Sequence, residues 1–312
     1  MKRLFASILL IVMGIGASWM SANGDADRPL SEAAVIPWLH DLDSALSQSK
    51  VSGKPVLALL HGVSDCTDCQ SIRHELSSHP LLAEATADEF VALQINSRQS
   101  QRVTSSDRAL RFFDSRGQAL LSPTSNSHST MSIAQQMAHA LHTANRPVPR
   151  YLQALAMERD VSKHKRSAFA MFCYWIGEYE LGKIDGVIST EAGWLESREV
   201  TLVNYHEDHL ALPQLAEKAA EVKCAQKVFA PTKEERQILA SSPIRLVVGT
   251  LDDRYRKAKP SDQKKQIQRW GLSGVLGLTS MQLTKLNAFA PDDRQLALSW
   301  LSPRPRRSLM AR

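Results

Sequence analysis

The stretch Lys54–Gln70 reads "KPVLALLHGVSDCTDCQ". Val56–Gly62 is a short, continuous apolar run, as expected of a strand buried on both faces. Cys66 and Cys69 follow at C-x-x-C spacing and open the helical pattern that stops near Pro80. Cysteines at i and i+3 meet on the first turn of a helix. The unpaired N–H groups and partial positive charge there favour a thiolate, so Cys66 is expected to be the more acidic and more exposed thiol. Three chemistries use such a pair: redox exchange, a structural disulfide, or half of a zinc site. No second C-x-x-C completes the zinc site.

Working outward, "VIPWLHDLDSALSQSKVSGKP" (Val35–Pro55) predicts a helix closed by Gly53 and Pro55. "FVALQIN" (Phe90–Asn96) predicts a second strand, and "LRFFDSRGQALL" a hairpin turning at Asp114–Gly117. "MSIAQQMAHALHTA" closes the unit as a helix. Asn145–Gln153, with two prolines, reads as the junction between two domains. Beyond it the pattern predicts a basic helix over Gln153–Ser167 and strands at Gly186–Trp194 and Glu199–His206. It also predicts a helix over His209–Phe229 carrying Cys224, a strand near Ile244–Leu251 and a helix at Thr279–Ala290. The tail from Ser302 reads as frayed, and the glycines of "GLSGVLGL" (Gly271–Leu278) as ordinary turns.

The 312 residues suit about two domains of 100–200 residues each. The net charge of +6 is a modest bias, and the basic stretch Arg254–Arg269 reads as a solvated face. No aromatic-rich basic motif accompanies it, so a nucleic-acid partner is not expected. Met1–Arg3 followed by an uncharged run from Leu4 to Met20 has the layout of a secretory signal peptide over residues 1–22, with Ala22 as the cleavage residue. An uncleaved N-terminal anchor is the alternative, and the only membrane contact expected. In a Gram-negative cell the destination would be the periplasm, where thiols are oxidised.

A second thiol stands alone. Phe172–Trp194 reads "FCYWIGEYELGKIDGVISTEAGW", with Cys173 between Phe172, Tyr174 and Trp175. Free cysteine often serves as a small core residue. Alternatively, aromatic walls suit a methyl or thioether group, and the thiol attacks an electrophilic sulfur while an acid protonates the departing oxygen. Glu178 and Glu199 are candidates for that acid. His206 and His209 have metal-ligand spacing, but a third ligand is missing and a solvated turn is the simpler reading. No metal or other cofactor is called for.

These motifs resemble two families. Val35–Ala144 resembles the thioredoxin-like fold, and "GVSDCTDC" is similar to the bacterial thioredoxin-like (seleno)proteins named for a VPGUxxT motif. Ser64-Asp65 stands here in place of Pro-Gly. Ala168–Leu215 resembles peptide-methionine (S)-S-oxide reductase. Phe172-Cys173-Tyr174-Trp175 matches its GCFW motif, with Phe172 in place of glycine. Glu178, Gly186–Thr190 and Gly193-Trp194 follow in the family's order, and Glu199 with Tyr205 matches its later acidic strand.

The resemblances imply an α/β (α+β) chain, with a thioredoxin-like domain at 34–145, a methionine sulfoxide reductase A-like domain at 160–303 and a basic tail at 304–312. They imply Cys173 as nucleophile, Glu199 as catalytic acid and Cys224 as resolving thiol, with Cys66 and Cys69 returning electrons. Tyr174, Trp175, Glu178 and Trp194 would form the substrate site. The partners implied are an oxidised protein or small-molecule sulfur substrate and an upstream thiol donor. Two other readings stand beside this one: a general thiol–disulfide oxidoreductase whose second domain only binds substrate, and a non-catalytic binding protein on a decayed reductase fold.

Overall fold

The first helix starts later than its apolar spacing predicts, because Leu39 pairs with the sheet ahead of it. The computed structural model describes residues 34–61, 67–96, 109–122, 128–243, 245–262, 265 and 277–310. In it Leu39 bridges Leu93 as extended chain. Helix α1 (Leu42–Ser52) begins only after Asp41, whose carboxylate accepts from Ser44 N at 2.8 Å, and it ends at Gly53 with φ 67°. The leader (1–22), Cys66 and most of Gly271–Leu278 lie outside the described residues.

β1 (Val56–His61) is the centre of a three-stranded sheet in the order β2-β1-β3. It pairs in parallel with β2 (Val91–Asn96) and antiparallel with β3 (Leu110–Phe113). The expected hairpin is reduced, its second arm being a single bridge from Phe113 to Ala119. α2 (Thr67–Ser78) stops at the expected place. A further helix, α3 (Pro80–Glu89), starts with that proline in its first turn, where no backbone N–H is required. α4 (Thr130–Thr143) closes the unit as predicted.

The expected junction holds α5 (Arg150–Arg159), whose Tyr151, Leu152 and Leu155 complete the core beneath α2, α3 and α4. The basic helix foreseen to Ser167 stops there, because His164–Ala170 is strand β4. A six-stranded sheet follows in the order β8-β7-β4-β6-β5-β9. Its strands are β4, β5 (Val187–Leu195), β6 (Arg198–His206), β7 (Lys227–Ala230), β8 (Val248–Thr250) and β9 (Arg256–Lys257). Helix α6 (Tyr174–Gly182) packs on it, with α7 (Leu212–Glu221) and α8 (Lys233–Ala240) after β6 and β7. The helix predicted through Phe229 therefore ends early. Cys224 lies past it, in the turn that Lys223 makes with φ 60°.

The C-terminal part is α9 (Ser280–Phe289), α10 (Arg294–Ser299) and α11 (Pro303–Met310). The frayed tail is thus corrected: Arg304 and Leu309 are buried, and Glu84 of α3 accepts from Arg304 N at 3.0 Å. Buried Lys285 of α9 donates to Gly182 O at 2.8 Å and Ile184 O at 2.7 Å. It thereby caps the carbonyl end of α6, where a cation is favoured. Burial pushes its ammonium down to about 7. No described helix is long and apolar enough to cross a membrane.

Candidate active site

β4 delivers its chain to Met171, Phe172 and Cys173, and Cys173 is the N-cap of α6, with extended backbone at φ −145° and ψ 115°. Its carbonyl accepts the first helical bonds, from Ile176 N and Gly177 N. Its side chain makes no cap bond, and the residue is half-buried, so the thiol is free to react. Phe172 departs from the expected cup. It is 88% exposed and closes nothing over the sulfur.

Glu199 stands 26 residues from Cys173 in sequence, yet its side chain bonds the residue next to that thiol. Its Oε2 accepts from Tyr174 N, the first amide of α6, at 2.9 Å. Its carbonyl accepts from Met171 N at 3.3 Å. Antiparallel pairing sets Trp194 opposite Glu199, which carries that indole to the same end of the sheet. The Tyr174 ring meets Trp175 and Trp194 edge-on, each at 5.8 Å. Burial and the neighbouring Glu199 carboxylate push the Tyr174 phenol up, so it stays a neutral donor. Tyr174, Trp175 and Trp194 thus form an aromatic cluster at the start of α6.

The other expected acid is placed differently. Glu178 is fully buried one turn below Tyr174, and its Oε1 accepts from Ala192 N at 3.1 Å and from Lys265 Nζ. Gly177 in that turn is there for close packing, since a Cβ would collide with Met171 Sδ and Thr201 Oγ1.

Cys224 is brought to Cys173 by strand pairing. Ala168 faces Phe229 and Ala170 faces Lys227, and Gln226 N donates to Ala170 O at 2.9 Å. The pairing brings the chain before Lys227 alongside the chain after Ala170, and Cys173 and Cys224 lie close enough to interact electrostatically. Both thiols are free, and Cys224 is 2% exposed. Burial pushes the Cys224 thiol up to about 11, with smaller contributions from Glu180 and from a Cys173 thiolate nearby. Cys69, on the first turn of α2, is buried and disulfide-bonded.

Sequence reading missed three neighbours of this site. Asp262 O accepts from Trp175 Nε1 at 2.7 Å and fixes that ring. Tyr255 packs its ring on Gly193 and donates its hydroxyl to Glu191 Oε1 at 2.9 Å. Lys265 reaches Glu178. All three come from the segment read as a solvated basic face, and nothing in its periodicity signals a return to the sheet. His206 also departs from the solvated turn expected of it, being 4% exposed. No cluster of metal ligands occurs among the described residues.

A Thioredoxin-like family model (Thioredoxin_7) matches residues 37–124. Two solved structures show similarity. One is Mxr1 from Saccharomyces cerevisiae in an unusual oxidized form, at 18% identity over 33% of this chain and 82% of that one, TM-score 0.28. The other is methionine sulfoxide reductase A of Corynebacterium diphtheriae, at 15% identity over 38% of this chain and 79% of that one, TM-score 0.28. No curated protein matches the chain in sequence.

Proposed function

We propose that the chain is a thiol-dependent oxidoreductase that reduces methionine sulfoxide or a related oxidised sulfur. The observation that carries this reading is the Glu199 carboxylate bound to Tyr174 N, one residue from the half-buried Cys173 thiol and beside a cluster of aromatic rings.

Cys173 passes its thiol proton to the Glu199 carboxylate and, as a thiolate, attacks the sulfoxide sulfur. Glu199 protonates the sulfoxide oxygen, which passes to Cys173 as a sulfenic acid while the sulfide leaves. Cys224 then attacks the sulfenic sulfur, releasing water and forming the Cys173–Cys224 disulfide. A dithiol reduces that disulfide by exchange, and we assign this role to Cys66 and Cys69. The cycle converts one sulfoxide and two thiols into one sulfide, one disulfide and one water. Tyr174, Trp175 and Trp194 receive the methyl or thioether group, with Glu178 behind them. Because Cys224 is buried and held as a neutral thiol, its turn must open before it attacks.

The same proposal places the chain in the periplasm, released after cleavage of its leader near Ala22, and supplied by an upstream thiol donor. The narrower kinship with VPGUxxT-type proteins belongs to it too. The test is reduction of methionine sulfoxide by the full chain with dithiothreitol as donor. Turnover that disappears in Cys173→Ser, with the fold retained, supports the reading; wild-type inactivity refutes it. The disulfide-bonded state of Cys69 favours a second reading, general thiol–disulfide exchange. Insulin-disulfide reduction that survives in Cys173→Ser would support that one.

A further inference from the structure

A cleft of about 650 Å³ lies at the far end of β4 from Cys173, between α4, α5 and the end of the second sheet. One wall is a single face of α5, on which Arg150, Gln153, Met157 and Asp160 recur at helical spacing. The 10-residue helix makes that wall about 15 Å long at 1.5 Å per residue.

Two residues facing α5 are built as though to be bonded. His206 is 4% exposed and Trp300 5% exposed, and both line the cleft. His206 Nδ1 and Trp300 Nε1 have no hydrogen-bond partner among the described residues. Burying an unpaired polar nitrogen costs free energy that a bound group would recover.

The two nitrogens ask for opposite partners. Trp300 Nε1–H can only donate. His206 Nε2 lies 3.5 Å from Asp160 Oδ2, which holds the imidazole proton on Nε2 and leaves Nδ1 as an acceptor. Burial keeps the ring neutral by holding its pKa down.

The charges divide the same way. The Arg150 guanidinium lies 5.2 Å over the Trp300 ring, at the end of α5 whose dipole favours an anion. Asp160 caps the opposite end of α5, where the dipole favours a cation. Asp208, paired with Lys163 at 3.2 Å, adds a second carboxylate at that end. Between the poles Met157 and Met281 offer soft walls that accept varied side chains.

We propose that this cleft binds a short peptide with free ends, its carboxylate at Arg150 and Trp300 Nε1–H and its ammonium at His206 Nδ1, in the field of the Asp160 and Asp208 carboxylates. At ~3.3 Å per extended residue the wall matches about four residues. A volume of about 650 Å³ is that of a pre-formed small-ligand site. Gln153 faces the middle of such a peptide and can bond its backbone. The site is independent of the thiol chemistry.

The experiment is calorimetric titration of the full chain with tetra-alanine bearing free termini, and with its N-acetylated, C-amidated and doubly blocked forms. The free peptide should saturate one site. Blocking either end should weaken binding about tenfold or more, the usual worth of a hydrogen bond to a charged group. Trp300→Phe removes the N–H while keeping a ring to stack on Phe289, which lies parallel at 6.5 Å. Arg150→Gln changes an exposed residue. Each variant should weaken the free peptide about tenfold and affect the C-amidated one little, because both lose the same contact. The proposal is overturned if free tetra-alanine gives no saturable binding. It is equally overturned if the doubly blocked peptide binds as tightly, or if both variants bind like wild type.

Discussion

Replacing Glu199 by glutamine separates two jobs that one side chain performs. Its Oε2 accepts the first amide of α6 at 2.9 Å, and its proton is the one proposed to reach the sulfoxide oxygen. A glutamine carbonyl can accept the same amide bond, so the geometry beneath Cys173 should survive. The lost negative charge at a helix N-terminus should cost about 0.3–1 kcal/mol of stability. The lost acid should slow the first step by about 10²–10⁴-fold. Glu199→Ala loses both, adding a cap-like loss of about 0.5–2 kcal/mol. The assay is single-turnover reaction of pre-reduced protein with methionine sulfoxide, quenched with acid and read by mass spectrometry as oxidised Cys173. Denaturant unfolding of the same samples gives the stability. A Glu199→Gln rate within about threefold of wild type would refute the assignment of the acid. So would a stability loss well above ~2 kcal/mol, because the rate would then report damage to α6.

Cys224→Ala should perform one turnover and hold a sulfenic acid on Cys173, detected as a dimedone adduct by mass spectrometry; no adduct would return Cys173 to a packing role. In native protein, iodoacetamide at neutral pH should modify half-buried Cys173 well before Cys224, which burial holds at about 11; peptide mapping decides the order. Gly177→Ala should cost about 1–3 kcal/mol by overpacking against Met171 and Thr201, read from urea midpoints. His79 is held neutral at about 4 by burial and by Arg159, whose guanidinium donates to its Nε2 at 3.2 Å. The unfolded chain takes up that proton near 6.5, so stability should fall as pH drops from 6.5 towards 4. The loss should be on the order of 2 kcal/mol, allowing for partial exposure. His79→Gln should flatten that limb in thermal unfolding at stepped pH.

The first half of the chain was legible because its signals are local. The apolar run at Val56–His61, the C-x-x-C behind it and the periodicity of Thr130–Thr143 each report on neighbours within one strand or a few helical turns. The order of motifs from Cys173 to Tyr205 was legible for the same reason, and it marked Glu199 before any geometry was known. Where one-dimensional pattern misled, backbone pairing or a single turn outweighed it: Leu39 was drawn into the sheet ahead of α1, and the turn at Lys223 freed Cys224 from its helix.

What only the tertiary structure decided is which distant groups meet. Pairing between β4 and β7 brings the segments that carry Cys173 and Cys224 into one region of the molecule. The first amide of α6 bonds Glu199, whereas Glu178 is buried against the sheet and engaged by Lys265. Asp262, Tyr255 and the cleft between His206 and Trp300 follow from segments that return to a surface formed elsewhere in the chain. Periodicity encodes which face of an element is buried, but not what it is buried against. That choice is made by packing and backbone pairing between residues tens of positions apart, and the working parts of this site depend on it.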